Sequence, residues 1–274
     1  MEKIKAGIIG AAGYTAGELI RILVNHPNVE ITSAQSESQA GKRISAVHQD
    51  LIGETDLIFS SKIDASTADV FFLCKGHGES SKILTDHPAL LTKKIVDLSQ
   101  DFRLNGEHDF VYGLPEFWKK EIVSAHHVAN PGCFATCLQL GILPAIESNI
   151  VDSEIHLSGI TGSTGAGQSF SKTSHFSWRS SNASAYKALT HQHLQETGES
   201  VQKLHATFKQ EINFIPYRGA FTRGIIVTTY FDTKASETEL KKIYADTYEH
   251  AAFTHVIDES PDLKMVVNTN KAVV

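Results

Sequence analysis

The stretch Lys5-Ala6-Gly7-Ile8-Ile9-Gly10-Ala11-Ala12-Gly13-Tyr14-Thr15-Ala16-Gly17 decides the fold of this 274-residue chain. Its first residues form a short apolar strand, and the glycines that follow predict a tight turn. Residues 18–25 then show helical spacing of apolar side chains, and a second strand is expected at 29–34. Strand, glycine turn, helix and strand in this order predict a βαβ unit.

The glycine turn favours nucleotide binding. Gly10 permits the tight turn, and Gly13 lets backbone N–H groups at a helix start approach a pyrophosphate. The spacing departs from the strict G-x-G-x-x-G fingerprint, and such turns also serve as plain connectors. We interpret this turn as a dinucleotide site whose predicted contacts are Gly10, Ala12, Gly13, Tyr14 and Thr15.

The end of the second strand favours NADP over NAD. Ser36 and Ser38 can donate to a 2′-phosphate, and Lys42 or Arg43 can supply positive charge. Glu37 is a counter-signal unless it points outward, and a polar surface loop is the alternative interpretation.

Further strands are predicted at 68–74 and 94–99, each followed by polar turns. Strands that alternate with helices in this way predict a Rossmann-type, doubly wound parallel sheet in an α/β fold. Gly76 follows the first of these strands, so we expect its turn to face the cofactor. Arg103, after the second, is a candidate phosphate or carboxylate clamp, with a solvated arginine as the alternative.

The stretch Asn130-Pro131-Gly132-Cys133 places a thiol where a strand ends and a helix begins. The turn residues are followed by a largely apolar run at 134–143, which predicts a buried helix. The N–H groups of a helix start favour a thiolate and can receive an oxyanion. The alternative is that Cys133 is a small buried hydrophobe.

The second half predicts an α+β domain. Strand-like runs at 154–159, 208–215 and 224–231 and amphipathic helices at 189–204 and 237–252 predict a mixed, largely antiparallel sheet covered by helices. Gly165 lies in a glycine-rich loop that can admit a ligand to backbone amides, and a plain flexible loop is the alternative that composition alone favours. We expect domains at 1–132 and 133–274, the second of which catalyses the reaction and forms a homodimer or homotetramer.

Composition excludes several classes of function. The formal net charge is −6, with no block of like charges, which argues against a nucleic-acid partner. Three cysteines form no disulfide framework and fit a reducing compartment. No run reaches the roughly 18 apolar residues of a membrane span. We therefore expect a cytoplasmic protein with no membrane partner.

Several motifs together resemble the N-acetyl-γ-glutamyl-phosphate reductase family of arginine biosynthesis. Its broader relatives are aspartate-semialdehyde dehydrogenase and glyceraldehyde-phosphate dehydrogenase. The matching segments run through nearly the whole chain: 10–19, 98–104, 112–116, 130–133, 158–159, 165–167, Tyr186, His191 to His193 with Glu196, 222–224 and 267–271. The resemblance implies a further segment after Lys271 that folds back on the cofactor domain, and the printed sequence ends at Val274.

The resemblance implies an NADPH-dependent reduction of N-acetyl-γ-glutamyl phosphate through a thioester on Cys133. It places a general acid/base in the His191/His193 pair, where we favour His191 and keep His193 as second choice. A zinc site built from this pair and Cys133 with Cys137 is disfavoured, because the cysteines lie within a predicted helix. The expected substrate contacts are Arg103, Asn130, Ser158, Gly159 and Arg223.

Three alternatives stay open. The acyl group on the substrate nitrogen is acetyl or succinyl. The second alternative is a related dehydrogenase whose substrate is aspartyl phosphate or the one-carbon-longer aminoadipyl phosphate. The third alternative is a catalytically silent NADP-binding protein.

Overall fold

The computed structural model describes residues 2–274, and the chain divides into two compact units, one ending at Pro131 and one beginning at Gly132. The first unit contains the strands β1 (Ile4–Ile9), β2 (Val29–Gln35), β3 (Val70–Leu73), β4 (Lys94–Asp97), β5 (Val111–Tyr112) and β6 (His127–Ala129), and the helices α1 (Tyr14–Leu23), α2 (Glu79–Asp86) and α3 (Pro115–Ser124). The second contains the helices α4 (Cys133–Glu147), α5 (Phe176–Arg179), α6 (His193–Leu204) and α7 (Glu237–Tyr248), and the strands β7 (Ile155–Thr161), β8 (Ser184–Ala185), β9 (Ile212–Arg218), β10 (Ile225–Tyr230), β11 (Thr254–His255) and β12 (Ala272–Val273).

The sheet of the first unit is parallel throughout, in the order β2-β1-β3-β4-β6-β5. Strand β1 has β2 on one side and β3 on the other, so the winding direction reverses there. The carboxyl ends of β1 and β3 therefore flank the crevice in which ligands of such sheets bind. This confirms the predicted doubly wound fold.

The glycine turn starts its helix earlier than the sequence predicts. Helix α1 begins at Tyr14 rather than near residue 18. The His48 ring packs so closely against Gly17 that a Cβ at this position would lie 2.7 Å from Nδ1 of His48. The sequence does not reveal this contact between Gly17 and His48. The buried His48 ring in turn contacts the carbonyl of Ala11 at 2.8 Å through Nε2.

The sheet of the second unit is mixed, in the order β10-β7-β9-β8. The β7–β9 pairing is parallel, and the β10–β7 and β8–β9 pairings are antiparallel, which confirms the predicted sheet type. Helix α4 packs against α6, α7 and β10. Among residues 2–274, no helix has both the length and the apolar character needed to cross a membrane.

Helix α4 continues through Pro144, beyond the run at 134–143 that the sequence predicts to be helical. Pro144 has no N–H, so the carbonyl of Leu140 loses its helical donor. The buried hydroxyl of Tyr248 on α7 donates to that carbonyl at 2.6 Å. This bond from a distant helix satisfies the carbonyl, and α4 extends to Glu147.

Helix α6 begins at His193, not near residue 189. Lys187 and Leu189 both have left-handed backbone, with φ of 46° and 60°, and the Leu189 N–H donates to the Phe214 carbonyl at 2.9 Å. This irregular turn replaces the first helical turn that the apolar spacing predicts.

Candidate active site

The thiol of Cys133 lies at the first position of α4 and is exposed. Gly132 before it is extended, with φ −66° and ψ 153°, and its carbonyl accepts from Thr136 through the backbone N–H at 2.8 Å and the hydroxyl at 3.0 Å. No acidic side chain occupies the first turn of this helix in the described structure. The positive end of the helix therefore acts on the sulfur, as a nucleophilic thiolate requires.

The other two cysteines differ in their surroundings. Burial raises the pKa of Cys74 to about 12, with Asp97 adding to the effect. Burial likewise raises the pKa of Cys137 to about 12, with Cys133 contributing less. Both thiols are therefore protonated at neutral pH and poorly nucleophilic.

The predicted histidine pair is assembled at the start of α6. The rings of His191 and His193 lie 4.7 Å apart, and the His193 N–H donates to Nδ1 of His191 at 3.3 Å. Burial, followed by the neighbouring His193, lowers the pKa of His191 to about 4. At neutral pH His191 is therefore uncharged, and its single ring proton resides on Nε2 because Nδ1 accepts a hydrogen bond.

Both histidines contact residues that flank the thiol. The His191 ring packs edge-on against Phe134, which follows Cys133, with centroids 5.7 Å apart. A Cβ on Gly132, which precedes Cys133, would lie 2.4 Å from Nε2 of His193. The sequence separates this pair from the cysteine by more than fifty residues, and the fold places the three together.

Glu196 is a member of this site that the sequence suggests only through its family motif. Its buried carboxylate accepts from the Gly132 N–H at 2.9 Å and lies 3.6 Å from Nε2 of His193. The His193-x-x-Glu196 spacing, one helical turn, is the local signal for this contact. Glu196 thus holds Gly132, the residue before the thiol, in place and lies beside the His193 ring.

A pocket opens at the thiol, and we name it the thiol pocket. It is lined by Cys133, Thr161, Gly162, Ser163, Gly165, Ala166, Thr173, Ser174, Arg179, Tyr186 and Arg218. The sequence does not single out Thr173, Arg179 or Arg218, because they carry no motif and come from separate segments.

The substrate contacts expected in the second unit are placed differently from one another. Ser158 is exposed within β7, and Gly159 is buried where a Cβ would lie 2.7 Å from the Phe134 ring. Neither lines the thiol pocket, whereas Gly165 does. Arg223 is half-buried in a loop whose backbone lies against Gly162.

In the first unit, the glycine turn has the features of a pyrophosphate site. Gly10 has φ +82°, and a Cβ there would lie 2.9 Å from the Cys74 backbone, so the turns after β1 and β3 are in contact. Gly13 precedes α1 and provides no side-chain cap, and the first turn of the helix carries Tyr14 and Thr15 but no acidic residue. Gly76 has open space beside it. Together with Ala12 in the turn, these features fit an anionic dinucleotide.

The residues expected at the 2′-phosphate are mixed in their exposure. Ser38 is exposed, and Ser36 is buried with its N–H donating to the Ser60 carbonyl at 2.8 Å. Lys42 donates to the Gln39 side chain at 3.0 Å, and Arg43 forms an ion pair with Asp56.

Arg103 and Asn130 lie together at the carboxyl end of the first unit. Arg103 is buried, and it donates from Nε to the Asn130 carbonyl at 2.9 Å and from Nη2 to the Leu98 carbonyl at 3.0 Å. The Asn130 N–H donates to the Asp97 carbonyl at 2.8 Å.

Within residues 2–274, no group of three or more His, Cys, Asp or Glu side chains is arranged to hold a metal ion.

Comparison with known proteins identifies the family. Models described as "Semialdehyde dehydrogenase, NAD binding domain" and "Semialdehyde dehydrogenase, dimerisation domain" match residues 5–125 and 133–274. The N-acetyl-gamma-glutamyl-phosphate reductase of Parabacteroides distasonis is 52% identical over 99% of this chain and 84% of that protein. This chain belongs to the N-acetyl-gamma-glutamyl-phosphate reductase family. The reductase of Phocaeicola vulgatus, another member, is 50% identical over the same shares.

Solved structures agree on the fold of this reductase family member. A probable aspartate-semialdehyde dehydrogenase from Pseudomonas aeruginosa superposes with a TM-score of 0.74 at 13% identity, over 99% of this chain and 87% of that one. The aspartate-semialdehyde dehydrogenase II of Vibrio cholerae gives 0.72 at 15% identity, over 96% and 84%. The family and fold expected from the motifs are therefore confirmed.

Proposed function

We propose that this chain catalyses the NADPH-dependent reduction of N-acetyl-γ-glutamyl phosphate to the semialdehyde and phosphate, in arginine biosynthesis. One observation carries the proposal: an exposed thiol at the start of a helix lies beside a buried histidine pair, in a chain half identical to reductases of that name. The first unit binds NADP in this proposal, and the second performs the chemistry.

The turn of Gly10, Ala12 and Gly13, together with Tyr14 and Thr15, would hold the pyrophosphate at the α1 N-terminus, with Gly76 beside it. Ser36 and Ser38 would contact the ribose phosphate. When bound, this cofactor supplies a hydride. We assign Gly165 to the same cofactor.

The thiolate of Cys133 attacks the acyl carbonyl, a thioester forms, and phosphate leaves. The N–H groups at the start of α4 stabilise the negative charge that develops on the carbonyl oxygen. His191, neutral with its proton on Nε2, would give that proton to the oxygen of the reduced adduct on sulfur. It would take the proton back as the carbonyl re-forms, the C–S bond breaks and the Cys133 thiolate leaves. His193 and Glu196 hold Gly132 and the His191 ring in place.

The remaining assignments rest on the family resemblance. Arg103 acts through the Asn130 carbonyl, which it holds at the strand end before the catalytic turn. Ser158, Gly159 and Arg223 are retained as proposed substrate contacts. We further propose a homodimer or homotetramer and a cytoplasmic location.

The test is oxidation of N-acetylglutamate semialdehyde with NADP⁺ and phosphate, followed as NADPH absorbance. We expect turnover by the natural protein and none by Cys133→Ala. The affinity of that variant for NADPH, measured by fluorescence titration, should be unchanged. Iodoacetamide at neutral pH should modify Cys133 before Cys74 and Cys137. Near-normal turnover by Cys133→Ala would exclude the thioester, and uniform slow alkylation would favour a silent NADP-binding protein.

A further inference from the structure

Two arginines without an acidic partner line the thiol pocket. Arg179 and Arg218 lie there with Cys133 and Tyr186. Among residues 2–274, neither guanidinium lies within ion-pair distance of an aspartate or glutamate. Burial and then the charge of Arg218 lower the pKa of Arg179. Two uncompensated cations in one pocket favour an anionic ligand.

Arg218 is fixed in one orientation. Its Cζ lies 4.3 Å from the centre of the Tyr186 ring, and its Nη1 donates to the Thr173 hydroxyl at 3.0 Å. A guanidinium has five N–H donors, so others stay available to a ligand. This orientation suits a planar carboxylate.

Arg179 stabilises that arrangement through hydrogen bonds to backbone carbonyls. It is buried, and it donates from Nη1 to the Arg218 carbonyl at 3.1 Å and from Nη2 to the Thr173 carbonyl at 2.9 Å. Arg179 therefore holds together the strand that carries Arg218 and the segment that carries its hydroxyl partner.

Tyr186 neighbours both the arginine and the sulfur. Its ring contacts Arg218, and its phenol is near enough to Cys133 that the thiolate adds to burial in raising the pKa of Tyr186. The leaving phosphate is bonded to the carbon that sulfur attacks, so its receptor must adjoin the sulfur. The α-carboxylate carbon of a glutamyl phosphate lies four bonds from that carbon, and an arginine in the same pocket that contacts the Tyr186 ring fits this position.

We propose that Arg218 binds the substrate carboxylate that the reaction leaves unchanged, and that Arg179 is its positioning residue. The inference rests on the proposed function and adds the source of its specificity. A substrate with this carboxylate is selected over one without it.

The test compares N-acetylglutamate semialdehyde with N-acetyl-4-aminobutanal, which lacks only the α-carboxylate, as substrates of the NADP⁺- and phosphate-dependent oxidation. Arg218→Gln should lose about 10- to 100-fold in kcat/KM for the first aldehyde, the range expected for one charge-assisted hydrogen bond. Its kcat/KM for the second aldehyde and its KM for phosphate should not change. Arg218→Lys keeps the positive charge but lacks the planar, forked N–H donors of arginine. Its loss of kcat/KM for the first aldehyde should be intermediate.

Arg21→Gln is the matched control, because Arg21 pairs with Glu18 and Asp50 in the first unit and should leave the preference intact. If Arg218→Gln fails to fold by circular dichroism, the lysine variant decides. An equal loss for both aldehydes, or a raised KM for phosphate alone, would overturn the inference while wild-type turnover upholds the proposed function. An inactive wild-type protein would overturn both.

Discussion

Replacing Gly132 with alanine tests the catalytic turn most directly. The backbone there, φ −66° and ψ 153°, is allowed for any residue, so alanine introduces no backbone strain. The added Cβ would instead lie 2.4 Å from Nε2 of His193 and 2.7 Å from Oε1 of Glu196. Both side chains are buried and cannot swing into solvent.

The size of the effect follows from these distances. Ordinary contacts between such atoms need about 3.5 Å, so the ring and the carboxylate must withdraw by roughly 1 Å. Overpacking of this kind costs about 1–3 kcal/mol in unfolding free energy. A displacement of that size in the residues that position the thiol and His191 lowers kcat/KM by about 100-fold. The expected result is therefore a fully foldable protein with much reduced turnover.

The assay is urea denaturation together with steady-state oxidation of the semialdehyde. Gly141→Ala in the same helix is the control, because its Cβ would meet only the Thr229 hydroxyl at 3.6 Å. That variant should gain about 0.5–1 kcal/mol, as alanine does inside a helix, with unchanged activity. Wild-type stability and turnover in Gly132→Ala would refute the tight contact of Gly132 with His193 and Glu196.

Two further predictions concern stability. Tyr248→Phe should lower the free energy of unfolding, measured by urea titration, by about 1–3 kcal/mol, because the Leu140 carbonyl that Pro144 leaves without a donor stays buried and unsatisfied. Tyr244→Phe should lower it by less, because the Gly141 carbonyl that Tyr244 contacts keeps its helical donor. His191 has a folded pKa of about 4 against 6.5 unfolded, so the unfolded state takes up the proton first as pH falls. Unfolding free energy should therefore fall by about 2 kcal/mol from pH 8 to pH 5 on account of this group. His191→Asn, which keeps an acceptor for the His193 N–H, should lose that part of the pH dependence, and an unchanged dependence would contradict the shifted pKa.

Local patterns in the sequence were enough to predict the fold of the first unit and the position of Cys133 at the start of a helix. Gly10 and Gly13 lie between a strand and a helix, and Asn130 and Pro131 precede the thiol, so each signal is contained within a few residues. The boundaries that differ are set from a distance. Helix α4 passes Pro144 because of Tyr248 on α7, and α6 starts late because of the turn at Lys187 and Leu189.

The thiol pocket shows the same limit more strongly. Arg218 ends strand β9 and Arg179 ends the four-residue helix α5, and neither stands in a recognisable motif. Their relation exists only because Arg179 donates to the Arg218 carbonyl and both segments meet at Thr173. No spacing along the chain encodes that contact, whereas His193 and Glu196 are linked by one helical turn.

The sign of the electrostatic field at the thiol follows from which charges have partners. Glu196 would oppose a thiolate if its charge were uncompensated, but it accepts from the Gly132 N–H and lies beside His193. Arg179 and Arg218 have no carboxylate to offset them within the described chain. The positive end of α4 adds to their charge. The pocket is therefore positive on balance, which favours both the ionised nucleophile and an anionic substrate, and the same arrangement serves binding and the first chemical step.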